Sequence, residues 1–112
     1  MEKRISAQEL RYLRNEIRTA AVIDHLGIPW KVRDGYFRFL CPFCCDFDTA
    51  INPGTNLGRC FRCKKNFNPI DLVMTELGKS FIDTVQYLRR HAHLLLSTPV
   101  HQISREDHHR LA

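Results

Sequence analysis

Leu10, Leu13 and Ile17 recur at helical spacing behind Ser6, and Glu9 stands three residues after that serine. Ser6 with Glu9 three residues on makes a capping box, so the first segment reads as an amphipathic helix. Arg11, Arg14 and Arg18 fall on one face beside the apolar stripe. A solvated surface is the simpler reading of that face. Thr19 is placed to cap a second short helix over 20–26, which Gly27 ends with Pro29 just beyond. The pattern then changes. Residues 36–40 are dense in aromatics, and 49–52 and 57–61 make two more short strand candidates. Pro53-Gly54-Thr55-Asn56 between the latter two is turn chemistry and predicts a hairpin.

Helical spacing returns in the last third. Asn68 is a cap and Pro69 suits the first helical position. Ile70, Val73, Met74 and Leu77 line one face before Gly78 ends that helix. Ser80 caps another, with Asp83 in its first turn and Phe81, Thr84, Val85 and Leu88 as its buried stripe. Periodicity fades after about residue 96. The expected organisation is one domain over 1–96 with helices at about 7–26, a β segment at about 28–67 and helices at about 69–94. A flexible tail is expected over 97–112.

Chemistry enters with the cysteines. Cys41-Pro42-Phe43-Cys44 is followed, after fifteen residues, by Cys60-Phe61-Arg62-Cys63. C-x2-C-x15-C-x2-C is a zinc pattern. A two-residue spacer lets the chain turn so that both sulfurs of a pair reach one ion, and four thiolates at about 2.3 Å complete a tetrahedron. The expected fold is therefore α+β: a zinc ribbon, meaning a short antiparallel sheet with two Cys-x-x-Cys knuckles, flanked by N-terminal and C-terminal helices. Four sulfurs leave no open position for water or substrate, so the site predicts one structural Zn²⁺. A rubredoxin-like iron site uses the same ligands. Cys45 is adjacent to Cys44 and reads as a spare thiol. The histidines lack ligand spacing to either pair. Asp46 and Asp48 have a D-x-D spacing but sit in an expected turn, where aspartate is common for local reasons.

Charge sharpens the picture. The chain of 112 residues carries 17 basic and 12 acidic groups. Residues 28–67 hold Lys31, Arg33, Arg38, Arg59, Arg62, Lys64 and Lys65 against Asp34, Asp46 and Asp48, which accounts for nearly all the excess. Trp30, Tyr36, Phe37, Phe39, Phe43, Phe47, Phe61 and Phe67 fall in the same segment. Cations interleaved with aromatics suit a polyanion whose bases can stack. The same composition also serves a small domain with an aromatic core and a solvated cationic face. The candidate phosphate contacts are Lys31, Arg38, Arg59, Arg62, Lys64 and Lys65, with Tyr36, Phe47 or Phe67 as stacking rings. No apolar run approaches the roughly 18 residues of a membrane span. The N-terminus lacks a signal-peptide stretch, so the expected location is cytoplasmic, where cysteines serve metals more often than disulfides.

The two cysteine pairs, residues 68–74 and Gly78-Lys79-Ser80-Phe81 together resemble the N-terminal zinc-binding domain of bacterial replicative DNA primase. The likeness spans roughly residues 17 to 90. That family carries a Cys-Pro-Phe-His pair, so Cys44 stands where its histidine ligand would. The family's Lys-Thr-Pro-Ser stretch is replaced by Phe47-Asp48-Thr49-Ala50, and its glycines after the last pair by Lys64-Lys65-Asn66-Phe67. In the family a polymerase domain and a helicase-docking domain follow, and 112 residues hold neither. The resemblance implies a free-standing template-recognition module that binds single-stranded DNA in replication. It would act beside a separate primase-type polymerase or replicative helicase, an arrangement suited to a mobile element. Nothing in the chain supplies a catalytic carboxylate constellation, so no enzymatic activity of its own and no small-molecule substrate are expected. The alternative is a protein-docking or transcription-regulatory zinc ribbon that does not itself bind DNA.

Overall fold

The structure, a computed structural model, describes residues 5–97. It is α+β, with four helices and one antiparallel sheet. The order is α1 (Ala7–Asn15), α2 (Thr19–Leu26), β1 (Trp30–Arg33), β2 (Tyr36–Phe39), β3 (Thr49–Asn52), β4 (Leu57–Cys60), β5 (Lys65–Phe67), α3 (Pro69–Leu77) and α4 (Phe81–Ser97). The expected tail over 97–112 lies outside the described residues except for Ser97, which closes α4.

The helix starts follow local chemistry. Ser6 Oγ accepts from the Glu9 N–H at 3.0 Å. The glutamate does not complete a capping box. Its carboxylate instead takes two hydrogen bonds from Arg89 on α4, at 2.5 and 2.6 Å. Asn68 and Asp71 cap α3 reciprocally, at 2.8 and 3.1 Å, and Ser80 Oγ accepts from the Asp83 N–H at 3.1 Å. Thr19 corrects the expectation for α2. It is the first helical residue rather than the cap, and Arg18 at the cap position offers no side-chain bond.

The sheet is a five-stranded meander in the order β1-β2-β3-β4-β5. Two strands were not anticipated, β1 and β5. Asp34 and Gly35 join β1 to β2 in a two-residue turn, with φ of 54° and 81°. Both positive angles suit a type I′ hairpin, where Asp-Gly is a favoured pair. That dipeptide was the available signal for β1. β5 has only three residues and takes its register from β4.

One sheet face is apolar. Phe37, Phe39, Ile51, Cys60 and Phe67 are all 7% exposed or less. Phe39 meets Phe67 edge-on with ring centroids 6.3 Å apart. Gly58 lies directly over the Phe39 ring, so close that a Cβ there would sit 2.8 Å from two ring carbons. Trp30 stacks on Phe37 at 4.8 Å and fixes itself to α2 through a hydrogen bond from its Nε1 to Asp24. α3 packs against α1, α2, α4 and β5, burying Leu72 and Val73 completely. The core thus runs continuously from the sheet through α3 into the helices. No helix among the described residues is long and apolar enough to cross a membrane.

Candidate metal centre and the open sheet face

Cys41 follows the end of β2 and Cys60 ends β4, so the meander brings the two knuckles together. The Cys41 and Cys63 sulfurs are 3.6 Å apart and those of Cys44 and Cys60 are 3.5 Å apart. All four lie within 4.8 Å of one another, and no other group of three or more potential ligands occurs among the described residues. Four sulfurs at 2.3 Å from a common centre would be spaced by about 3.8 Å. The four cysteines therefore fit a tetrahedral ion and can hold a metal. Cys41 and Cys60 are fully buried, whereas Cys44 and Cys63 are half-buried.

The knuckle backbones repeat one another. The Cys45 N–H bonds to Cys41 O at 2.9 Å, and the Lys64 N–H bonds to Cys60 O at 2.8 Å. The residue after each pair is left-handed, with φ of 58° at Cys45 and 60° at Lys64. Backbone N–H groups also point at sulfur, from Phe43 to Cys41 and from Cys63 to Cys60, each at 3.4 Å. Burial works against ionising Cys60, but hydrogen bonds from the Cys63 backbone, the Thr49 hydroxyl dipole and the Cys63 thiol outweigh it. Its thiol is lowered to about 6. Thr49 stands opposite Cys60 in the register, and its buried hydroxyl has no partner at full hydrogen-bond geometry. It therefore acts on the sulfur as a nearby dipole. Burial and the adjoining thiols push Cys44 up to about 12 and raise Cys63. Cys45 is exposed and outside the cluster.

The second face of the sheet is open. Lys31 pairs with Arg38, Arg38 with Ala50, Ala50 with Arg59, and Arg59 with Asn66. Same-face side chains at successive pairs make one line across all five strands. It reads Lys31, Arg38, Ala50, Arg59, Asn66. Arg38 enters no ion pair among the described residues, and its Nε is buried without a partner. A groove of about 620 Å³ lies along this line, with Tyr36, Arg38, Arg59, Asn66 and Phe61 in its walls. Tyr36 and Phe61 are 54% and 60% exposed. Lys31 covers the Phe47 ring at 4.6 Å.

The expected nucleic-acid residues are divided by the fold. Lys31, Tyr36, Arg38 and Arg59 share the open face. Arg62 instead pairs with Asp46 at 3.2 Å, linking the two knuckles on the surface. Lys64 and Lys65 flank the second knuckle, with the Lys65 ammonium 4.9 Å from the Phe43 ring. Phe67 is a correction: it is 1% exposed and wedged between Phe39 and Phe43, with no face free to stack on a base. Strand alternation turns it inward opposite Gly58. Three residues were missed. Phe61 and Asn66 line the groove. Asn56, in the β3–β4 turn, bonds to both N-terminal helices. Phe61 just follows β4, where strand alternation no longer assigns a face. Compared with protein-family models and with curated proteins, the chain matches none.

Proposed function

We propose that this chain is a zinc-stabilised module that binds single-stranded DNA, similar in role to the template-recognition domain of a DNA primase. It acts with a separate primase-type polymerase or replicative helicase in replication and is not catalytic by itself. One observation carries the reading: the Lys31–Arg38–Ala50–Arg59–Asn66 line across the open sheet face. A line of cations beside two exposed rings gives phosphates and unstacked bases their partners at once. The metal is zinc, held by Cys41, Cys44, Cys60 and Cys63, in a role that is structural because four sulfurs close the coordination shell.

The test is binding of an oligonucleotide at several salt concentrations. Removing one phosphate-binding cation lowers the single-strand salt slope by about 0.7. Arg38→Ala with Arg59→Ala should lower both affinity and slope while the metal stays bound. Arg11→Ala with Arg14→Ala should change little. A second reading, a protein-docking or transcription-regulatory ribbon, is favoured by Leu77, Phe81 and Ile82, which are 43%, 40% and 51% exposed around the α3–α4 junction. Absence of DNA binding at ~50 mM salt would select it.

A further inference from the structure

The groove has a property that positive charge alone does not require. Its fixed polar side chains turn donors outward, and each of its two asparagine oxygens already holds a hydrogen bond. Arg38 and Arg59 carry only N–H groups. Asn66 Oδ1 takes a hydrogen bond from Arg59 Nη1 at 3.1 Å. A guanidinium can only donate, so the amide oxygen must face it and the amide NH₂ must face away. Asn52, also in the groove wall, is fixed in the same way. Its Oδ1 accepts from the Gly54 N–H at 2.9 Å, leaving its NH₂ outward. No carboxylate lines the groove. The hydroxyls of Tyr36 and Thr55 rotate to suit either role, but the amides and guanidiniums cannot.

We infer that this groove reads bases, holding guanine in preference to adenine on the single strand. The inference rests on the single-strand reading above. Guanine presents two adjacent acceptors, N7 and O6, on one edge. Adenine places an amino donor beside N7. Against Arg59 and Asn66 that amino group meets another donor, and both lose water without a replacement partner. The two purines offer Tyr36 and Phe61 similar ring area, so stacking does not separate them, and the edge decides.

The experiment uses the full, metal-loaded chain and short thymidine oligomers with one central guanine, hypoxanthine or adenine, read by fluorescence anisotropy. Hypoxanthine keeps N7 and O6 but lacks the exocyclic amino group of guanine. Guanine and hypoxanthine should bind alike, both about fivefold or more tighter than adenine. Asn66→Asp replaces the outward amide donor with an acceptor. The guanine-to-adenine ratio should then fall to one or below, whatever the overall affinity. Lys64→Ala should weaken all three oligomers together and leave the ratio in place. Equal binding of guanine and adenine by the unaltered chain overturns the inference and leaves the single-strand reading standing. A ratio that survives both Asn66→Asp and Arg59→Ala also overturns it. No binding to any oligomer overturns both readings.

Discussion

Asn56 holds Thr19 across 37 positions of sequence: its Oδ1 accepts from the Thr19 N–H at 2.9 Å, and its carbonyl accepts from the Thr19 hydroxyl at 2.5 Å. Its Nδ2 donates to the carbonyls of Arg14 and Ile17, both at 2.8 Å. One side chain from the β3–β4 turn thus satisfies the first N–H of α2 and two carbonyls at the end of and just beyond α1. The cap that α2 lacks locally is supplied by the sheet. This fixes the open face of the ribbon relative to the helices.

Removing that side chain should loosen the junction. Asn56 is buried, and Asn56→Ala strands the Thr19 N–H and two carbonyls, each worth roughly 1 kcal/mol or more. We expect a loss of about 3 kcal/mol in denaturant unfolding of the metal-loaded protein. Asn56 is also left-handed, with φ of 60°, so Asn56→Gly should lose about 1 kcal/mol less.

Metal removal should unfold the ribbon. Structural zinc sites contribute on the order of 10–16 kcal/mol of apparent binding free energy. Elemental analysis should find one ion per chain, absent after Cys41→Ser or Cys60→Ser and retained after Cys45→Ser. Cys45→Gly should keep the ion and gain up to about 1 kcal/mol, because Cys45 holds a left-handed backbone that glycine adopts without strain. Full metal content in a Cys60→Ser protein would sink the ligand assignment.

Gly58 should tolerate no side chain. A Cβ would meet Phe39 Cε1 and Cζ at 2.8 Å, and Phe39 is fully buried with no room to retreat. Overpacking of this kind costs about 1–3 kcal/mol. Gly58→Ala should lower the thermal midpoint, whereas Gly54→Ala in the exposed turn should cost less.

Stability should fall in acid through the α1–α4 strap. Hydrogen bonds from Arg89, opposed by partial burial and aided by the guanidinium charge, hold Glu9 below its ordinary carboxylate value. A lowered folded value means the contribution is complete above the unfolded value of about 4.3. It is lost as pH falls through the folded one. Both side chains are partly exposed, so the contribution is small. Glu9→Gln should remove it near neutrality and make no difference at pH ~2.

The four helices, the β3–β4 hairpin and the four cysteines that can hold a metal were legible in the chain alone. Helix caps are read within three or four residues, which is why Ser6, Asn68 and Ser80 act as their neighbours predict. The cysteine spacing is equally local, and the four sulfurs meet where the hairpin of β3 and β4 brings them. Facing and partnership came from packing and strand register. Phe67 belongs to a strand too short to show alternation, and only pairing with β4 turns it into the core. Arg62 and Arg59 are three residues apart in one basic run. One is tied to Asp46 across the knuckles, and the other stands in line with Arg38 on the open face. Asn56 has the chemistry of a turn residue and serves as a helix cap, because its partners at Arg14, Ile17 and Thr19 lie roughly 40 positions away. Hydrogen bonds and cross-strand lines of that range depend on register, and register is set by the packing of the whole sheet against its helices.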